Sequence, residues 1–304
     1  MISRTAKGCI MEHNRNKNTN GKDSAGGGQE AGSRKQRKPG FFYYMIPVVL
    51  LLVMVVFGVL FMRDFLAYKE ADDEYSSLNE NIEIVPDTAA GDNADTASEG
   101  GADVTAADYY PTLNIDFQAF ADRNSDFVGV LYVPALDILY PMAKSKDNAD
   151  YLHHTFEGKY NFAGCIFMDM VASDDFSDRN TFIFGHNMKN GSMFGKLKHF
   201  STEDGLAASD PYVYVYTTKT VRKYRIFSYY QTDYNSDAYN DITDDAGYDT
   251  YVQKALKRSV FREYQNDVDF TARPLMLTLS TCSGKNSGQR FLVHSAFVSE
   301  KPLG

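Results

Sequence analysis

The 304-residue chain is 43% hydrophobic, carries a net charge of −9 and holds three cysteines. Residues 1–40 contain nine Lys/Arg against three acids, a net +6, which leaves residues 41–304 at −15. That distribution excludes a nucleic-acid reader, which carries its basic patch on the folded domain. The three cysteines are too few for a disulfide-framed scaffold.

Residues 1–40 are rich in Asn, Gly, Lys and Ser and read as a disordered basic tail. Phe41 to Met62 then runs 22 residues without a charge. As a helix that run reaches roughly 33 Å, which matches a hydrocarbon core of about 30 Å. A cleaved signal peptide is the rival reading, but the run is long for one and RDFLAYKE follows it instead of a small-residue cleavage site. The cluster Arg34–Lys38 precedes the run, so the positive-inside rule expects a cytoplasmic N-terminus and an external C-terminal region on the cell membrane. Cys9 lies far upstream of the run, which does not suit lipid attachment after it.

Residues 63–108 read as an acidic extracellular spacer, weakly helical at 63–83 and without an apolar face at 86–108. The globular domain is expected over 109–304. It opens with a short helix at Asn114–Arg123. Eight runs of strand length and β-rich composition follow, at Phe127–Val133, Ile138–Met142, Gly164–Met168, Asn180–Phe184, Tyr212–Tyr216, Lys223–Thr232, Leu275–Thr281 and Arg290–Val298. A helix with apolar positions at i, i+3 and i+4 is expected over Tyr248–Tyr264. The fold class is therefore mainly β, a closed barrel or a sandwich.

Two segments carry chemistry. In LMLTLSTCSGKNSGQRFLVHS an alternating strand ends at Cys282, a polar turn follows, and a second strand opens at Arg290. A hairpin brings the two together, and a guanidinium beside a thiol favours thiolate and stabilises an oxyanion. In NTFIFGHNMKNGSMF a strand runs into His186, a general acid/base with a pKa near neutrality. His153 and His154 are adjacent, so on a strand they would face opposite sides and could not easily share a metal ion. Cys165, in AGCIFMD, reads as a buried structural thiol. The acidic loop Tyr234–Tyr248 reads as solvated, since its Asp spacing fits no calcium loop.

TLSTC with an Arg eight residues on, and FGHNM 96 residues before the Cys, resemble the sortases of Gram-positive bacteria. DNADYLHHTF, AGCIFMD and GHNMKNGSMF resemble class B most. The resemblance spans about residues 110–300. It implies an eight-stranded sortase-type β-barrel with an N-terminal helix and a long helix inserted before the Cys strand. It implies a thiol transpeptidase that needs no cofactor or metal, with Cys282 as nucleophile, His186 as acid/base and Arg290 as transition-state partner. It places Asn148, Leu152, Ser280 and Ser283 along the substrate groove, with the backbone N–H after Cys282 as an oxyanion donor. The implied partners are secreted proteins bearing a C-terminal sorting motif, cut after Thr, and an amine acceptor in peptidoglycan or on a pilin Lys. A cysteine peptidase that only hydrolyses would use the same residues, and a non-catalytic external binding domain would not need them.

Overall fold

The computed structural model describes residues 41–85, 109–261, 268–282 and 288–303. The basic tail at 1–40 with Cys9, the stretch 86–108, Tyr264 and Ser283 lie outside the described residues. The chain divides between Lys69 and Glu70, inside one helix, α1 (Phe41–Asn79), into two compact units.

In the first unit every residue from Tyr44 to Leu66 is exposed. Among the described residues α1 is the one helix long and apolar enough to cross a membrane. The second unit begins at Glu70. Here α1 changes character, and Ala71, Glu74, Tyr75 and Leu78 are buried. Their i, i+3, i+4, i+7 spacing is one stripe of a helix. Residues 70–85, which the sequence reading assigns to the spacer, thus belong to the same unit as the globular domain. Four inward positions among charged neighbours give too weak a period to be read without the partner surface.

After α1, β1 (Ile82–Ile84) pairs antiparallel with β2 (Leu113–Ile115). The helix expected from Asn114 begins later, as α2 (Phe117–Arg123). Asp116 fixes that start, because its carboxylate accepts from Ala119 N at 2.9 Å and caps the first turn.

The remaining strands are β3 (Phe127–Val133), β4 (Ile138–Ala143), β5 (Ile166–Met168), β6 (Asn180–Phe184), β7 (Tyr212–Tyr216), β8 (Thr220–Asp233), β9 (Met276–Cys282) and β10 (Gln289–Pro302). They close into one barrel in the order β10-β8-β7-β3-β4-β5-β6-β9. Closure decides for the barrel over the sandwich and leaves no edge strand within it. Most pairs are antiparallel, but β4–β5 and β6–β9 are parallel. Two short helices, α3 (His199–Thr202) and α4 (Leu206–Ser209), lie between β6 and β7.

The long helix α5 (Asp245–Arg258) precedes β9 and packs Tyr248, Tyr251, Val252 and Ala255 into a cluster with Phe182, Phe227, Tyr230 and Leu292. It starts three residues before the expected Tyr248 because Asp244 accepts from Gly247 N at 2.7 Å. It stops at Ser259, a buried residue whose hydroxyl takes the amide of Phe261 at 3.1 Å and turns the chain away. Acids of the preceding loop and of the first turns of α5 form ion pairs within the fold. Asp237 pairs with Lys254 and Arg258 at 2.7 and 2.6 Å, Asp245 with Arg179 at 2.6 Å, and Asp249 with Arg273 at 2.9 Å.

Candidate active site

β6 and β9 run side by side, parallel, with Phe184 partnered to Ser280 at their C-terminal ends. The amide of Gly185 donates to the Ser280 carbonyl at 3.2 Å and extends the ladder by one rung. His186 stands two residues beyond Phe184, and Cys282 two residues beyond Ser280. On the other side of β9, antiparallel β10 sets Arg290 directly opposite Cys282. Three neighbouring strands thus bring His186, Cys282 and Arg290 to one end of the barrel. Arg290 is only 8% exposed, and its Nη1 donates to the Gln289 carbonyl at 3.2 Å.

His186 is half-buried, and its Nε2 lies 2.8 Å from the carbonyl oxygen of Leu152. A carbonyl only accepts, so Nε2 carries the hydrogen and Nδ1 is the atom that binds and releases the exchangeable proton. Burial holds the imidazole below its ordinary pKa. The Leu152 carbonyl opposes that by favouring imidazolium, while the charges of His153 and Arg290 add to the depression. Gly164 closes the pocket around the ring. It sits at φ +61°, and a Cβ there would lie 2.5 Å from the Tyr151 carbonyl oxygen, 3.0 Å from that of Leu152 and 3.1 Å from His186 Cδ2. Only glycine fits both that conformation and that space.

The orienting group of His186 is thus a backbone carbonyl. The family resemblance places Leu152 along the substrate groove, and the role of its carbonyl leaves no mark in residue type. Asn148 has both ends of its amide engaged. Its Nδ2 donates to Asp169 Oδ1 at 3.0 Å and its Oδ1 accepts from Met170 N at 2.8 Å, bracing the loop after β5. Ser280 is buried and shares a 2.8 Å hydrogen bond with the Tyr239 hydroxyl. Tyr239 closes a turn held to α5 by the Tyr251 hydroxyl, which donates to the Ala238 carbonyl at 3.0 Å. Cys165 is a free thiol with no exposed surface, and its Sγ donates to the Ile166 carbonyl at 3.1 Å. His154 pairs with Asp150 at 2.9 Å, while His153 is exposed.

A tautomerically fixed imidazole, a buried guanidinium and a cysteine at adjacent strand ends are the parts that acyl transfer through a thioester requires. The sortase domain model matches residues 131–298, more than half of the chain. Sortase B of Listeria monocytogenes is 36% identical over 162 residues, 52% of this chain and 63% of that protein, so the match spans less than two thirds of the relative's length. Among solved structures, sortase B from Bacillus anthracis in complex with AAEK1 superposes with a TM-score of 0.59 at 26% identity, over 77% of this chain and 99% of the other. Sortase B of Clostridium perfringens superposes with a TM-score of 0.55 at 28% identity, over 60% of this chain and 99% of the other. With its closed eight-stranded barrel, its helix before the Cys strand and a family match over most of the barrel, this chain belongs to the sortase family.

Proposed function

We propose that the chain is a class B-like transpeptidase held at the outer face of a Gram-positive cell membrane by the apolar part of α1, with its N-terminus in the cytoplasm. It cuts secreted proteins after the Thr of a C-terminal sorting motif and joins them to an amine of peptidoglycan or a pilin. The observation that supports this reading is the register of three strands: Cys282 lies opposite Arg290, and Ser280 lies opposite Phe184, two residues before His186.

In this reaction the Cys282 thiolate attacks the Thr carbonyl carbon. A C–S bond forms, and the carbonyl electron pair moves to oxygen. The Arg290 guanidinium and the backbone N–H after Cys282 hold that oxyanion. As the tetrahedral species collapses, the C–N bond breaks, and Nδ1 of the His186 imidazolium gives its proton to the departing amine. The Nε2–H bond to the Leu152 carbonyl keeps the ring aimed while the proton leaves. The acceptor amine then attacks the thioester, loses a proton to the neutral imidazole and releases Cys282 as thiolate. No side-chain carboxylate is needed as orienter, since the Leu152 carbonyl fills that place in the triad logic. Asn148, Leu152, Ser280 and Ser283 flank the path of the motif in this reading. Asn148 and Ser280 act mainly by shaping its walls, given the internal bonds that each already makes.

The test is a peptide-library cleavage screen with the full chain in detergent, read by mass spectrometry with and without an acceptor amine. Products joined to the amine, absent for Cys282→Ala, are expected. Cleavage that never incorporates amine would replace this reading with plain hydrolysis. Cleavage that survives Cys282→Ala would overturn it altogether.

A further inference from the structure

Two loops hold His186, and one short stretch of α1 grips both. The first loop, residues 151–165, folds back on itself. Asn161 N donates to the His153 carbonyl at 2.8 Å and Cys165 N to the Tyr151 carbonyl at 2.9 Å. Leu152 lies between these rungs, which leaves its carbonyl to the imidazole. The second loop is the one that His186 opens, and Phe194 N donates to the His186 carbonyl at 2.9 Å.

Tyr75 of α1, 5% exposed, reaches toward each loop. Its hydroxyl donates to the Gly164 carbonyl at 2.9 Å. Gly164 is the residue against which both the Leu152 carbonyl and the imidazole rest. The Tyr75 ring meets the ring of Tyr140 edge-on at 5.4 Å, and the Tyr140 hydroxyl accepts from Met193 N at 3.1 Å, next to Phe194. Glu74 reinforces the first grip. Its buried carboxylate accepts from Thr155 Oγ1 at 2.8 Å and from Glu157 N at 3.0 Å, and lies 3.4 Å from Lys159 Nζ. Asp72 adds a 3.4 Å bond from Asn190 in the second loop.

We propose that Tyr75, aided by Glu74, is a positioning residue for the reaction: through Gly164 on one side and Tyr140 on the other, it fixes the imidazole of His186 against the Leu152 carbonyl. The helix that carries the apolar span is then also a working part of the acid/base apparatus. This rests on the reading of His186 as acid/base. The residue touches no substrate and acts only through the loops it grips.

Alignment of this kind is worth a large factor, since a misplacement of about 1 Å costs on the order of 100-fold in rate. Removing the hydroxyl alone loosens one grip of two, so a loss of about tenfold is expected in kcat with KM little changed. A purely structural role would not alter how His186 titrates. Among the described residues the charged groups that act on the ring are His153 and Arg290, and neither is touched by the change. A weaker bond to the Leu152 carbonyl favours imidazolium less, so the midpoint must move to lower pH.

The experiment follows the ring signal of His186 by NMR across pH in the full chain, labelled at histidine and assigned with His186→Gln. Tyr75→Phe is expected to lower the midpoint. Tyr75→Leu, which also removes the ring contact with Tyr140, should lower it further. Thr155→Val removes one of the bonds by which Glu74 grips the first loop, without changing charge, and should shift the midpoint the same way by a smaller amount. It decides the matter alone should the Tyr75 variants fail to fold. An unmoved midpoint in the folded variants overturns the proposal. This titration stands apart from the Cys282→Ala cleavage test, so either idea can fail without the other.

Discussion

Gly164→Ala places a methyl group where the structure has room for none. The added Cβ falls 2.5 Å from the Tyr151 carbonyl oxygen, 3.0 Å from that of Leu152 and 3.1 Å from His186 Cδ2. Two of the three neighbours are backbone, so relief requires the 151–165 loop to move by roughly 1 Å, the shortfall from an ordinary C···O contact. The left-handed conformation at φ +61° costs a non-glycine residue about 1–2 kcal/mol, and the overpacking adds about 1–3 kcal/mol. A total loss of about 2–5 kcal/mol follows. The displaced Leu152 carbonyl also releases the imidazole, so turnover should fall on the order of 100-fold in whatever remains folded. Gly158→Ala is the matched control. It lies in the same loop at φ +79°, with nothing within 4 Å of its added Cβ. It should lose only the conformational cost of about 1–2 kcal/mol and keep wild-type turnover. Urea denaturation and peptide cleavage, measured on both variants, separate the two effects. Equal stability losses together with equal, undiminished turnover would refute the account of Gly164 as the residue that closes the His186 pocket.

Three further outcomes follow from the buried groups. His294 has no exposed surface, bonds Thr278 and Tyr230 through its two ring nitrogens at 2.9 and 3.1 Å, and is pushed by burial, and then by the Arg258 charge, to about 3. The unfolded chain binds that proton more readily, so this stability is complete above about pH 6.5 and is lost as pH falls toward 3. The loss amounts to a few kcal/mol, about 1.4 for each unit of pH within that window. Denaturant titrations at pH 7.5, 5.5 and 4.5 should give a shallower decline for His294→Gln than for the wild type, and parallel declines would exclude His294 as the cause. Lys223 is fully buried, its Nζ 3.0 Å from the Tyr109 carbonyl and 3.9 Å from the centre of the Tyr212 ring. Lys223→Met keeps the stem but removes the bond to the Tyr109 carbonyl and the cation from the ring, for an expected loss of about 1–3 kcal/mol by thermal or denaturant melting. Burial pushes the Cys165 thiol up to about 12, so iodoacetamide at pH 8 should spare it in the folded chain and label it once urea is added, as read by peptide mass mapping. Labelling of Cys165 without urea would contradict its buried, free state.

The amino-acid sequence carries most of the fold by itself. The bounds of β6 and β7 are legible to the residue, since β-branched and aromatic runs end there at Gly or Thr. The strand-then-turn pattern also marks Cys282, Arg290 and His186 as chemistry-bearing ends. The ends of α5 are less legible, because an Asp cap and a buried Ser decide them locally rather than any apolar period. Tertiary structure alone decides three things. It aligns β6 with β9 across 96 residues of sequence, a parallel pairing that only barrel closure imposes. It turns the Leu152 carbonyl into the orienter of His186, a role available to the backbone of any residue and so unmarked in the sequence. It draws residues 70–79 into the domain, where Glu74 and Tyr75 find partners more than 80 residues away. Local composition determines which segments become strands and helices. Which of their ends meet is set by long-range packing, and at this site that packing decides how His186 is held.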